Sequence, residues 1–182
     1  MAPSEQLTSS ALQALRDGKV AGSWTLDPSR SQVRLKTRHT WGLRPLNGVF
    51  RQVTGSGTVS PSGDVAGTVT VAAQSVDTKN SQRDKHLRSA DFFDAANHPD
   101  ITFTAERVRP SGDGVTVDGQ LTVRDRTLPV SVDAVVSSFD DGEVGLDGEL
   151  RVNRADFGLT WNFIGVAAMN VVMIVHAVFI RE

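Results

Sequence analysis

The sequence predicts an all-β fold, an antiparallel sandwich or barrel interrupted by one helical insert, and three observations predict it. Apolar residues alternate with polar ones at a period of two in segment after segment, as expected where one sheet face is wet. Short Gly, Asp and Pro clusters of hairpin type, PSGD at 61–64, PSGDG at 110–114 and DDGE at 140–143, separate those segments. A charged, helix-forming stretch ending in an aromatic pair, RDKHLRSADFFDAANHPDITF at 83–103, breaks the run.

In chain order, Leu7, Ala11, Leu12 and Leu15 fall near one helical face and Gly18 follows as a stop, so residues 1–20 form an amphipathic extension laid on the outside of the body. Residues 21–182 form the main domain. Val33, Leu35 and Thr37 point one way, with Arg34, Lys36 and Arg38 opposite them. Val65, Gly67, Val69, Val71 and Ala73 share a face. After the insert, so do Val115, Val117, Gly119, Leu121 and Val123, then Leu128, Val130, Val132, Ala134 and Val136, then Val144, Leu146, Gly148, Leu150 and Val152. The last strand, around 167–180, is apolar on both faces. Either the N-terminal helix covers its outer face, or that face is a homodimer seam.

A chain of 182 residues with 39% hydrophobic content is long enough for one substantial core. A net charge of -2 with both signs interspersed offers no basic surface, which argues against nucleic acid as a partner. The absence of cysteine excludes disulfides and thiolate metal sites. The four histidines, His39, His86, His98 and His176, are scattered without ligand spacing, so no metal is expected. The first twenty residues lack a basic start and an apolar core, so the expected compartment is the cytoplasm.

Four ordered blocks carry a resemblance: WTLDPSRSQVRLKTRH at 24–39, the insert at 83–103, GQLTVRDRTLPVSV at 119–132 and VNRADFGLTW at 152–161. Over about residues 23–181 the chain resembles the YceI family of lipocalin-like, polyisoprenoid-binding proteins. The resemblance implies an eight-stranded antiparallel barrel with a short helical insert, at about 80–96, near one mouth. It also implies a hydrophobic bore holding an isoprenoid chain. The expected function is therefore non-catalytic binding, storage or transport of a polyisoprenoid lipid or isoprenoid quinone. No cofactor is required beyond that ligand, and transient membrane contact is expected.

The residues bear on a bore in their own right. Gly67, Ala73, Ala105, Gly119, Ala134 and Gly148 are small at inward positions, and an eight-stranded barrel is near the size at which side-chain volume decides between a filled interior and a cavity. Strands of about ten residues tilted by about 40° make a bore on the order of 25 Å deep. Expected wall and mouth residues are Val33, Leu35, Trp41, Phe50, Val69, Val71, Phe92, Phe93, Phe103, Leu121, Val123, Phe157, Trp161 and Phe163. Phe103 suits a lining or a packed core equally, only one of Phe92 and Phe93 is expected to face the bore, and Trp24 reads as structural.

Head-group candidates are His39, Arg83, Asp84, His86 and Arg88, with Asp84 and Arg88 at the spacing of a helical ion pair. The same cluster supports the rival reading, a hydrolase acting on an amphiphile through Arg83, Asp84 and His86. Ser81 and Ser89 nearby have no nucleophile-elbow context, which weighs against acyl transfer.

Overall fold

The computed structural model describes residues 3–39, 44–140, 142–161 and 168–182. A helix, α1 (Pro3–Arg16), precedes strands β1 (Gly22–Leu26), β2 (Gln32–His39), β3 (Arg44–Phe50), β4 (Val53–Val59), β5 (Val65–Ala72) and the short β6 (Val76–Asp77). The insert helix α2 (Ser81–Arg88) follows. The chain then runs through β7 (Asp100–Ser111), β8 (Gly114–Val123), β9 (Arg126–Phe139), β10 (Glu143–Asn153) and β11 (Asn170–Arg181).

The strands close into a ring, β1-β4-β5-β7-β8-β9-β10-β11, because β1 pairs back with β11 through Trp24↔Arg181, Thr25↔Ile180 and Leu26↔Phe179. Further along β11, β2 takes the place of β1, pairing Val33 with Val175 and Leu35 with Met173, and β3 and β6 continue outward from it. The result is a closed eight-stave antiparallel barrel, three of whose staves are broken. At the break between β1 and β2, Asp27 accepts from Ser29 N and Oγ (2.9 and 2.6 Å) and from Arg30 Nε, and Arg30 reaches Glu143 at 2.8 Å. The Ser29 hydroxyl foremost, then Arg30, hold the Asp27 carboxyl at a pKa of about 2. Closure leaves the ring without a free edge.

The insert helix is shorter than the sequence suggests. Asn80 caps it, accepting from Arg83 N at 2.9 Å. It ends at Arg88 because Ser89 turns extended and its hydroxyl takes the His86 carbonyl at 2.7 Å, competing with the helical ladder. Phe92 and Phe93 therefore sit in the turn that follows. The spaced Asp84 and Arg88 do not pair. Asp84, 6% exposed, accepts from Thr78 N at 2.9 Å and Thr78 Oγ1 at 2.5 Å, whereas Arg88 donates to the Val76 carbonyl at 2.7 Å.

Side chains fill the α2 half of the barrel. Phe50, Val71, Val76, Phe93, Ile101, Leu121, Val123, Phe157 and Leu159 form one buried cluster there, with the Phe50 and Phe93 ring centroids 5.9 Å apart and Phe92 edge-on to Phe93 at 5.0 Å. Nearby, the buried Arg154 guanidinium donates to the carbonyls of Leu159 (2.5 Å), Trp161 (2.9 Å) and Ala168 (3.1 Å) and lies over the Phe92 ring.

Candidate functional site

The other half of the barrel is hollow. A cavity of about 250 Å³ lies between the facing walls of β4, β5, β7, β8, β9, β10 and β11, at the end covered by α1. Its walls are built by the period-two alternation, which sends Val117, Val132, Leu146, Val175 and Phe179 inward, and by the small residues Gly57, Gly67, Ala105, Ala134 and Gly148, which leave the volume unfilled. Among the described residues, none lining it is acidic, basic or a histidine; its polar members are Ser56, Thr58 and Thr68.

Helix α1 supplies part of the wall. Ala11, Leu12 and Leu15 border the cavity, so the helix does not merely lie on the outside of the body. At one point it meets β9, where Val136 N donates to the buried Thr8 Oγ1 at 3.4 Å. Its other end packs on the β4–β5 turn: a Cβ added at Gly18, whose φ is +68°, would stand 2.8 Å from the Pro61 carbonyl oxygen, and one at Gly63 would stand 2.9 Å from that of Leu15. Both positions demand glycine. Trp24 is also on the wall, 5% exposed, its indole nitrogen donating to the Val20 carbonyl at 3.0 Å.

Of the expected bore residues, Val69 and Phe103 border this cavity. Val33, Leu35, Phe50, Val71, Phe93, Leu121, Val123 and Phe157 belong to the packed cluster, and Phe92 packs against it. Trp161 is 43% exposed and lies against the His86 ring, tilted by 56° with centroids 4.1 Å apart. Trp41 and Phe163 lie outside the described residues. Residues absent from the expectation, Ala11, Leu12, Leu15, Trp24, Val175 and Phe179, line the cavity. The alternation of β11 already marked Val175; nothing in residues 3–16 marks which part of the barrel that helix covers.

Four of the five head-group candidates, Arg83, Asp84, His86 and Arg88, lie on α2, away from the cavity; no residue of 81–98 borders it. Arg83 donates from Nε to Thr78 Oγ1 (2.7 Å) and from Nη2 to the Thr78 carbonyl (2.8 Å), so Arg83 and Asp84 together clamp the turn that leads into α2. His86 has Asp91 4.0 Å from Nδ1, and its Nε2 is buried with no hydrogen-bond partner among the described residues. His39 closes β2. Among the described residues no group of three potential metal ligands occurs, and no helix is long and apolar enough to cross a membrane.

A closed eight-stave barrel, solid at one end and holding an apolar cavity at the other, is the class of protein that these elements define. The chain belongs to the YceI-like domain family, which matches residues 24–179. It is 32% identical to Protein YceI of Escherichia coli O17:K52:H18 over 186 aligned positions, covering 97% of this chain and 96% of the relative. The UPF0312 protein ECA1782 of Pectobacterium atrosepticum is 31% identical with similar coverage, 97% and 95%. Among solved structures, Burkholderia cenocepacia BcnA superposes with a TM-score of 0.75 at 22% identity, covering 84% of this chain and 98% of that one. A polyisoprenoid binding domain from Saccharophagus degradans, implicated in plant cell wall breakdown, superposes with a TM-score of 0.69 at 15% identity, covering 87% and 98%.

Proposed function

We propose that this protein is a non-catalytic carrier that holds the apolar chain of a lipid, an isoprenoid being the class its relatives suggest, inside the α1 half of the barrel. The observation that carries the reading is the lining, aliphatic and aromatic with no titratable group among the described residues; its three hydroxyl residues, Ser56, Thr58 and Thr68, are exposed and alternate with the inward Gly57 and Gly67. Such a wall gives nothing to protonate, attack or polarise a substrate, but each methylene it removes from water is worth about 0.8 kcal/mol. A bilayer offers a comparable gain, so the net preference for protein over membrane is small. That balance suits a carrier exchanging cargo with a membrane surface and does not suit a sink.

The hydrolase reading is disfavoured by the same geometry. Arg83 Nε and Nη2 and Asp84 Oδ1 are engaged on Thr78, and the cluster stands apart from the apolar cavity. Pairing of two copies across the outer face of β11, where Val172 and Ile174 are half-buried, is compatible with the carrier reading and is not required by it.

The test is organic extraction of purified protein followed by mass spectrometry. An intact prenyl or other long-chain lipid at a stoichiometric level is the expected result. Protein that carries no lipid and takes none up from dispersed prenyl alcohols overturns the reading.

A further inference from the structure

The hollow ends abruptly, and the cross-strand registers show where. One row across β5, β7, β8 and β9 reads Val69↔Phe103↔Leu121↔Leu128. The next inward row toward α1, extended to β4, reads Gly57↔Gly67↔Ala105↔Gly119↔Val130. Between these two rows the side chains on β5, β7 and β8 fall from Val, Phe and Leu to Gly, Ala and Gly, so on that wall the interior changes from packed to empty within one step of about 7 Å along the strands. Phe103 sits on that boundary, bordering the cavity and packed against the buried cluster. Its ring lies over Gly119: a Cβ there would stand 2.9 Å from Phe103 Cε2 and Cζ and 2.1 Å from the Thr104 carbonyl oxygen. Glycine at 119 is what lets the ring lie there.

Resting on the carrier reading above, we propose that Phe103, laid over Gly119, is a floor that sets how much of a lipid chain this barrel buries, and that the rest of the ligand with its head group leaves at the α1 end. Scaling from a cavity of about 150 Å³ that holds the six carbons of benzene, a volume of about 250 Å³ takes about ten carbons, two isoprene units. A longer chain has no way deeper, because Val71, Ile101, Leu121 and Val123 close the space below Phe103. A polar or charged head group finds no partner on the lining and is costly to bury there. The head group is therefore placed beside Ala11, Leu12 and Leu15, at the opposite end from the charged residues of α2.

The experiment measures binding of prenol, geraniol and farnesol to the full chain by tryptophan fluorescence, Trp24 lying on the wall. Wild-type affinity rises roughly 100- to 1,000-fold from prenol to geraniol, since each buried carbon is worth about fourfold, and by less than about fourfold from geraniol to farnesol. Phe103→Ala restores a large farnesol gain, and Phe103→Leu, the smaller change, gives an intermediate one; circular dichroism confirms that each variant is folded. A wild-type farnesol gain as large as the geraniol gain, or an unchanged series in both folded variants, overturns the floor. If none of the three alcohols binds, the carrier reading fails and the floor with it. In the second arm, a geranyl amine bearing a nitroxide at its head broadens the amide signals of residues 11–15. Broadening at residues 83–93 instead overturns the placement of the head group.

Discussion

Thr8 and Val136, 128 positions apart, are joined where the barrel wall is irregular: the Val136 amide donates to Thr8 Oγ1 at the point where the β9–β10 register slips. Gly145 faces Ser138 and Leu146 faces Val136, leaving Ser137 as the extra residue of a β-bulge. The N-terminal helix thus fastens to the wall through an irregularity of the barrel itself.

Thr8→Val keeps the shape and removes the acceptor, leaving the buried Val136 N–H unpaired. The expected loss is about 1 kcal/mol, with a fall in Tm of about 2–4 °C and faster hydrogen exchange at the Val136 amide. Unchanged exchange at that amide would show that the contact does not anchor α1.

Gly119→Ala forces a methyl group to within 2.1 Å of the Thr104 carbonyl oxygen and against the Phe103 ring. We expect destabilisation of about 1–3 kcal/mol by overpacking, read as a lower urea midpoint. A midpoint within error of wild type contradicts the close approach of β7 and β8 at this row.

Stability falls in acid through identifiable carboxylates. Asp118 ties three strands together, accepting from Arg109 of β7 (2.7 Å) and Ser131 of β9 (2.6 Å), and those two donors, Arg109 foremost, hold its pKa at about 2. Asp77, whose largest influence is the Lys79 amide and then Arg51, sits at about 2 as well, as does Asp27. A folded pKa below the ordinary aspartate value of 3.8 means that the stabilisation is complete above about pH 4 and drains away as pH falls toward 2. Urea midpoints measured from pH 6 to pH 2 should fall in that window, and Asp118→Asn should make the fall shallower. The same slope in the variant would exclude Asp118 as a contributor.

Asp84→Ala separates structure from chemistry at the insert. It strands the Thr78 amide and hydroxyl, at a cost of about 1–3 kcal/mol, while the folded protein keeps its lipid, because no atom of α2 borders the cavity. A folded variant that loses bound lipid, or a wild type that turns over ester substrates with an Asp84-dependent rate, would restore the cluster to a functional role.

The inward faces of the strands were legible because a period of two is written directly in residues such as Val115, Val117, Leu121 and Val123. Where the interior is empty was half legible. Gly67, Ala105, Ala134 and Gly148 stood out as small, but their significance lies in standing side by side across strands, Gly67 with Ala105 one row from Phe103 and Ala134 with Gly148 further along, and register is a property of the folded sheet. Two readings of the insert missed for local reasons. Residues 80–96 looked helical throughout, yet Ser89 ends the helix and Asp94 takes a left-handed φ of +49°. Asp84 and Arg88 had the right spacing for a pair, yet Thr78, folded back from outside the helix, satisfies the carboxylate first. The destination of α1 was not legible, because an amphipathic face states that it needs cover and not which surface provides it.

Unequal filling of the two barrel halves gives the molecule a mechanical polarity. Hydrostatic pressure drives out internal void, and its effect on unfolding scales with the empty volume eliminated. Compression should therefore act first on the walls around Gly67 and Ala134, near Leu12, and leave the dense end around Phe50 and Phe93 almost untouched. Cargo occupying that space would make the whole barrel harder to crush, so pressure resistance would report loading without any label on the lipid.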